Sequence, residues 1–227
     1  HAAGGLGLVI TELLGANLLH SDTQTIMGIG LEAYTKEPKI IDGELDWHSG
    51  ASSSLNSKII STTLDPFQET GGLADLNGNL GSAVMKVSAV EISRRKITAP
   101  VRVFNDQESV LKAFRDGEFI NDVIIAVRYQ GPRANGMPEL HNLTPCMSVL
   151  QTRGLNVALI TDGRMSGASG KVPAAIHMSP EALDEGPIAY LQDGDMVTVN
   201  ALNGTIDVDN NKIFDRKVNH PDLMNNS

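Results

Sequence analysis

Asp122-Val123-Ile124-Ile125-Ala126-Val127-Arg128-Tyr129 and Leu155-Asn156-Val157-Ala158-Leu159-Ile160-Thr161 are two short apolar runs rich in β-branched residues and bounded by turn formers. Each reads as a β-strand. The segment between them, Pro138–Arg153, reads as a helix: its proline suits a first turn, and Gly154 stands just past its end. Strand, helix and strand in that order make a parallel βαβ unit. Further out, Ala83–Val90 and Ile97–Phe104 have the same strand texture, and Gln107–Gly117 places Val110, Leu111 and Phe114 on one helical face. Met196–Val208 reads as a hairpin turning at Asn203-Gly204, and a hairpin is antiparallel. A mixed α/β sheet or barrel with flanking helices fits these elements better than a purely doubly wound sheet.

Towards the N-terminus, Leu6, Val9, Ile10, Leu13, Leu14 and Leu18 recur at three- and four-residue steps, predicting a helix over 6–20. The stretch 36–57, with Pro38, Gly43, Gly50 and Ser52-Ser53-Ser54, has little periodicity and reads as a connector.

The chain has 227 residues, 41% of them hydrophobic, enough for one large domain or two small ones. A net charge of −9 and a pI near 5.1 argue against nucleic acid or an anionic membrane as partner, so an anionic substrate would need a local basic or metal-rich site. The single cysteine, Cys146, excludes an internal disulfide framework and a self-sufficient cysteine-rich metal site. It reads as a small buried residue of the 138–153 helix rather than a nucleophile. No apolar run is long enough for a membrane span. His1-Ala2-Ala3-Gly4-Gly5 has neither an initiator Met nor a basic-then-apolar leader, so the chain is expected to be a piece of a longer, cytoplasmic protein.

Two segments carry chemistry. Ile160-Thr161-Asp162-Gly163-Arg164-Met165-Ser166-Gly167-Ala168-Ser169-Gly170-Lys171 runs from a strand into a loop with three glycines, two serines, an Arg and a Lys. Loops at the C-terminal ends of strands are where ligands sit in open α/β sheets, and glycine admits close backbone approach. Pro173-Ala174-Ala175-Ile176 then reads as a helix start able to favour anions. The loop is no P-loop: Gly163 and Gly170 enclose six residues instead of four, and Val172 follows Lys171. It reads equally as a structural turn. The second segment, Tyr129 to His141, again follows a strand. There Glu139 is either a first-turn carboxylate complementing a helix dipole or an oxygen ligand for a hard cation such as Mg²⁺. His141 and His177 read as hydrogen-bonded fixtures. Arg94-Arg95-Lys96 reads as a solvated strand end, with a phosphate contact as the other reading. Asp193-Gly194-Asp195 reads as a turn before a strand.

Taken together and in order, these segments resemble the dihydroxy-acid/6-phosphogluconate dehydratase family. His1-Ala2-Ala3-Gly4-Gly5 with Glu12-Leu13-Leu14, Pro66 to Leu73 with Gly78-Asn79-Leu80, Gly131 to Glu139, Ile160 to Gly170, and Pro180-Glu181-Ala182 through Asp193-Gly194-Asp195 are similar to successive family motifs. Thr25 to Gly28, Tyr34 to Pro38, Ala83 to Val90 and Gly167 to Pro173 look like its phosphogluconate branch. The resemblance implies a C-terminal swivelling β-barrel domain over 71–227, flanked by helices. Residues 1–35 would be the tail, with the last helix, of an N-terminal α/β domain, and 36–70 a connector.

It also implies a hydro-lyase that converts 6-phospho-D-gluconate to 2-dehydro-3-deoxy-6-phospho-D-gluconate in the Entner–Doudoroff route. A dehydratase for another aldonic or branched dihydroxy acid, or a non-catalytic sugar-acid binding domain, are the rival readings. By motif, Ser166 is the general base, with the Gly167 and Ala168 N–H groups beside it. Glu139 is a ligand of Mg²⁺ or a similar divalent cation, and Arg164, Ser169 and Lys171 contact the substrate. The implied [4Fe–4S] cluster takes its ligands from the N-terminal domain, outside this chain. The implied partners are a phosphorylated sugar acid, that N-terminal domain and a second copy in a homodimer.

Overall fold

A computed structural model describes residues 1–166, 171–218 and 220–221. The chain divides into two compact units, His1–Thr70 and the remainder from Gly71.

In the first unit, helix α1 runs over Gly5–Gly15. It stops short of residue 20 because Asn17 takes a left-handed φ of 57° and Leu18 N–H turns back to the Leu13 carbonyl, 2.9 Å. A two-residue pair, β1 (Gln24–Thr25) with β2 (Gly28–Ile29), follows. The stretch with little periodicity then forms an antiparallel hairpin, β3 (Lys36–Ile41) with β4 (Glu44–Ser49). Its turn is Asp42-Gly43, both at positive φ (50° and 85°), the backbone that a two-residue hairpin loop requires.

The second unit is a closed eight-stranded barrel with a few helices outside. Strands β5 (Leu73–Gly78) and β6 (Gly81–Lys86) form a hairpin. Strand β7 (Lys96–Phe104) leads through helix α2 (Gln107–Arg115) to β8 (Val123–Val127). A short helix α3 (Pro132–Asn135) and helix α4 (Leu143–Thr152) then cross to β9 (Val157–Thr161). Strands β10 (Ala174–Ser179), β11 (Met196–Asn200) and β12 (Thr205–Val208) complete the set. Round the barrel the order is β10-β6-β5-β12-β11-β7-β8-β9. The β7–β8, β8–β9 and β9–β10 pairs are parallel, so β8–α4–β9 is the expected βαβ unit.

Side-chain alternation explains the texture of the central strands. Ile124, Ala126, Ala158 and Ile160 join residues of all eight strands in one buried cluster, the barrel interior. Their neighbours Val123, Ile125, Val127, Val157 and Leu159 cluster instead with Val110 of α2 and Leu143, Met147 and Leu150 of α4. Strands covered on both faces are apolar throughout, the pattern typical of parallel sheet. Helix α2 starts where Asp106 caps it, accepting from Ser109 N–H at 2.7 Å. The β11–β12 connection is a four-residue turn, not a two-residue one. Asn200 Oδ1 accepts from Leu202 and Asn203 N–H, and Gly204 closes the turn at φ 69°.

Two expected helix starts are corrected. Helix α4 begins at Leu143 rather than Pro138, since Met137 takes a left-handed φ of 56° and Glu139 pairs as a single bridge with Arg164. Residues 174–176 belong to strand β10, held between β9 and β6, so no helix N-terminus follows the glycine loop. No helix among the described residues is long and apolar enough to cross a membrane.

Candidate functional site

Two loops leave the C-terminal ends of the adjacent parallel strands β8 and β9. The first, 128–142, turns through Tyr129 at φ 61°, helix α3, and Gly136 at φ 64° before reaching Glu139. The second carries Asp162, Gly163, Arg164, Met165 and Ser166.

Asp162 fastens the loops together. Only 1% exposed, its Oδ1 accepts from Gln130 N–H at 2.9 Å, and its Oδ2 from Tyr129 N–H at 3.1 Å and Ala182 N–H at 2.9 Å. Burial pushes its carboxyl up from the ordinary value, against the pull of those three donors. Glu181, also buried, accepts from Arg133 N–H at 3.0 Å and so satisfies a free donor at the start of α3. Gly131 has no room for a side chain, because a Cβ there would overlap the Glu181 carboxylate. These two acids have little prominence in the sequence. Asp162 directly after an apolar strand was the available signal, but its role depends on donors 20 to 33 residues away.

On this scaffold three of the predicted site residues meet. Glu139 Oε1 accepts from Ser166 N–H at 2.6 Å, and Glu139 Oε2 lies 3.5 Å from Arg164 Nη1. Arg164 Nε donates to the Met137 carbonyl at 2.7 Å, and Leu140 N–H to the Arg164 carbonyl at 3.2 Å. The Glu139 side chain is 26% exposed, so its carboxylate stays accessible while one oxygen is fixed. His141 Nδ1 stands 4.0 Å from Glu139 Oε1. His177, exposed, is held through its backbone, N–H to the Gly163 carbonyl at 2.9 Å. Lys171 is exposed and lines a cleft with Arg94 and residues of α4. Ser169, with Gly167 and Ala168, lies outside the described residues.

Glu139 suits a hard cation in donor chemistry: an accessible carboxylate oriented by a backbone N–H. Among the described residues no three His, Cys, Asp or Glu side chains group as a metal site, so Glu139 can be at most one ligand of several. An iron–sulfur cluster does not fit this chain's residues. Clusters are held by thiolates. Cys146 is buried in the apolar layer of α4, its thiol donates to the Leu143 carbonyl, and burial pushes its ionisation up.

Residues 58–225 match the family model described as dihydroxy-acid/6-phosphogluconate dehydratase, C-terminal. A phosphogluconate dehydratase of Pseudomonas aeruginosa is 56% identical over 91% of this chain and 34% of its own length. One from Escherichia coli K12 is 50% identical over 98% of this chain and 37% of its own length. A dihydroxy-acid dehydratase of Sulfurisphaera tokodaii is 37% identical over 92% of this chain and 35% of its own length. The chain therefore spans about a third of the length of these curated relatives.

Proposed function

Since the chain belongs to the dihydroxy-acid/6-phosphogluconate dehydratase family, we propose that it supplies the proton-abstracting half of the active site of a phosphogluconate dehydratase, a hydro-lyase. The reaction is the conversion of 6-phospho-D-gluconate to 2-dehydro-3-deoxy-6-phospho-D-gluconate, in the Entner–Doudoroff sense of sugar-acid breakdown. The observation that carries this reading is the 2.6 Å hydrogen bond from Ser166 N–H to Glu139, which brings a hydroxyl-bearing residue and an accessible carboxylate into one corner at the ends of two parallel strands.

In this account Ser166 acts as its alkoxide, the Oγ proton having first passed to solvent, and takes up the proton from C2 to become a neutral hydroxyl again. A serine hydroxyl is a very weak acid, so the step demands nearby positive charge. Glu139 would hold Mg²⁺ or a similar cation beside it, and that cation when bound supplies charge stabilisation for the substrate carboxylate as C2 loses its proton. The 2.6 Å bond to Ser166 N–H fixes the carboxylate's direction. Arg164, 3.5 Å from the other oxygen, is free to exchange part of that contact for an incoming carboxylate, to which a guanidinium binds in bidentate fashion. Lys171 and Ser169 are the remaining substrate contacts. Loss of the C3 hydroxyl needs an acid that none of these residues provides. It is assigned to the rest of a longer cytoplasmic protein, where a [4Fe–4S] cluster and a homodimer partner would also belong.

The identity of 50–56% to phosphogluconate dehydratases against 37% to a dihydroxy-acid dehydratase favours the phosphorylated substrate. A product assay on the full-length protein tests it. Keto-acid release from 6-phosphogluconate at least 100-fold faster than from gluconate or a branched 2,3-dihydroxy acid is expected. Preference for either of the latter would reassign the substrate, and no release from any of them would return the chain to a binding role.

A further inference from the structure

Lys171, the first described residue after the glycine loop, lines a cleft of about 420 Å³ with Glu91, Arg94, Ser148, Gln151 and Thr152. The cleft gathers donors: an ammonium, a guanidinium, an amide and the Ser148 hydroxyl. Thr152 Oγ1 is already committed to the Ser148 carbonyl at 2.9 Å. The cleft's one carboxylate, Glu91, is 76% exposed, and its contact with Arg94 Nε is a loose 3.7 Å, a pairing worth little. Two cations against one carboxylate is a local reversal of the chain's charge of −9. Two of the donor atoms, Arg94 Nη1 and Gln151 Nε2, are enclosed and have no hydrogen-bond partner among the described residues. Enclosed donors without acceptors are costly, and an anionic oxygen is the acceptor that best satisfies them.

The cleft and the candidate site share one rigid element. Near its start, α4 touches the Ser166 loop, where Thr144 Oγ1 lies 3.5 Å from Met165 Sδ. Ser148 follows about 6 Å along the helix axis and Gln151 roughly 4.5 Å further. We infer that this cleft binds a phosphate monoester, the terminal phosphate of the sugar acid whose other end is held at Glu139 and Ser166. Arg94 supplies planar, two-pronged recognition and Lys171 a point charge. The inference rests on the sugar-acid reading above, yet it concerns binding and not turnover.

The test is a ¹H–¹⁵N NMR titration of the 227-residue chain with 6-phosphogluconate, gluconate and inorganic phosphate in parallel. The expected result is that 6-phosphogluconate and inorganic phosphate both shift the Gln151 side-chain amide, whereas gluconate does not. R94Q, with a native-like spectrum, should then weaken the phosphorylated ligands at least tenfold. R153Q, whose guanidinium lies over the Phe114 ring outside the cleft, should not. Shifts with gluconate equal to those with 6-phosphogluconate, or binding untouched by R94Q, would overturn the inference. A response to inorganic phosphate alone would make the cleft an effector site and overturn its assignment to substrate. Phosphate binding by this cleft alongside a full-length protein that releases no keto acid would overturn the catalytic reading while leaving the cleft in place.

Discussion

At the scale of single residues, two kinds of carboxylate share one corner of the barrel. Glu139 is accessible, whereas Asp162 is buried and accepts from backbone N–H groups. Asp162→Asn tests the second kind. An amide in its place must turn an NH₂ towards at least one of the three N–H donors, leaving a buried donor opposed by another. A loss of about 1–3 kcal/mol in urea unfolding is expected, with movement of the Tyr129–Glu139 loop in NMR spectra. Unchanged stability would mean that the three bonds from Tyr129, Gln130 and Ala182 do not set the loop. That Ser166 and Glu139 each sit in a glycine-punctuated segment after an apolar strand was legible in the sequence, whereas their roles were assigned only by the family resemblance. Asp162 stood in the same segment but gave no sign of its partners. A carboxylate that accepts from backbone amides needs no particular residue type opposite it, so no sequence pattern marks the pairing.

At the scale of elements, hydrophobic pattern located β7, α2, β8, β9, β11 and β12 to within a few residues and failed where turn chemistry decided. The hairpin at Asp42-Gly43 was there to be read as an Asp-Gly turn, but Pro38 and Gly50 masked its strands, and Pro38 is tolerated because β3 pairs on one side only. Glu139 left the helix expected for it because Gly136 and Met137 both take left-handed backbone. Strand β11 is anchored by a feature composition did not reveal. Asp195, just before it, accepts from both Nη atoms of Arg216, at 2.5 and 2.9 Å. Burial pulls the Asp195 carboxyl up, but the Arg216 bonds together with the Gln192 N–H outweigh it and hold the group below the ordinary carboxylate value. A carboxyl lowered in the folded state contributes stability that is present above the unfolded value and is lost as pH falls through 3.8 and below. Asp195→Asn should therefore cost about 1.5–3 kcal/mol near neutral pH. The variant should also lose less stability than the parent between about pH 6 and about pH 3. Parallel losses in both proteins would show that another group governs the acid limb.

At the scale of the whole molecule, barrel closure is what gathers the pieces. It depends on pairings distant in sequence, β12 with β5 through Thr205 and Asn77, and β10 with β6. Local periodicity carries no information about such joins, so the pattern of elements left a mixed sheet and a barrel both open, and the family resemblance implied the barrel. The closed barrel seats the β8 and β9 loops side by side, and α4 spans from those loops to the cationic cleft. The proposed catalysis depends on Ser166 acting beside Glu139. The most direct measurement is single-turnover dehydration of 6-phosphogluconate by the full-length protein carrying Ser166→Ala, with substrate binding measured on the same sample. Removing a general base typically costs 10²–10⁴-fold. A rate loss of roughly a thousandfold is expected, with affinity retained within a few-fold; turnover equal to that of the parent would rule out Ser166 as the base.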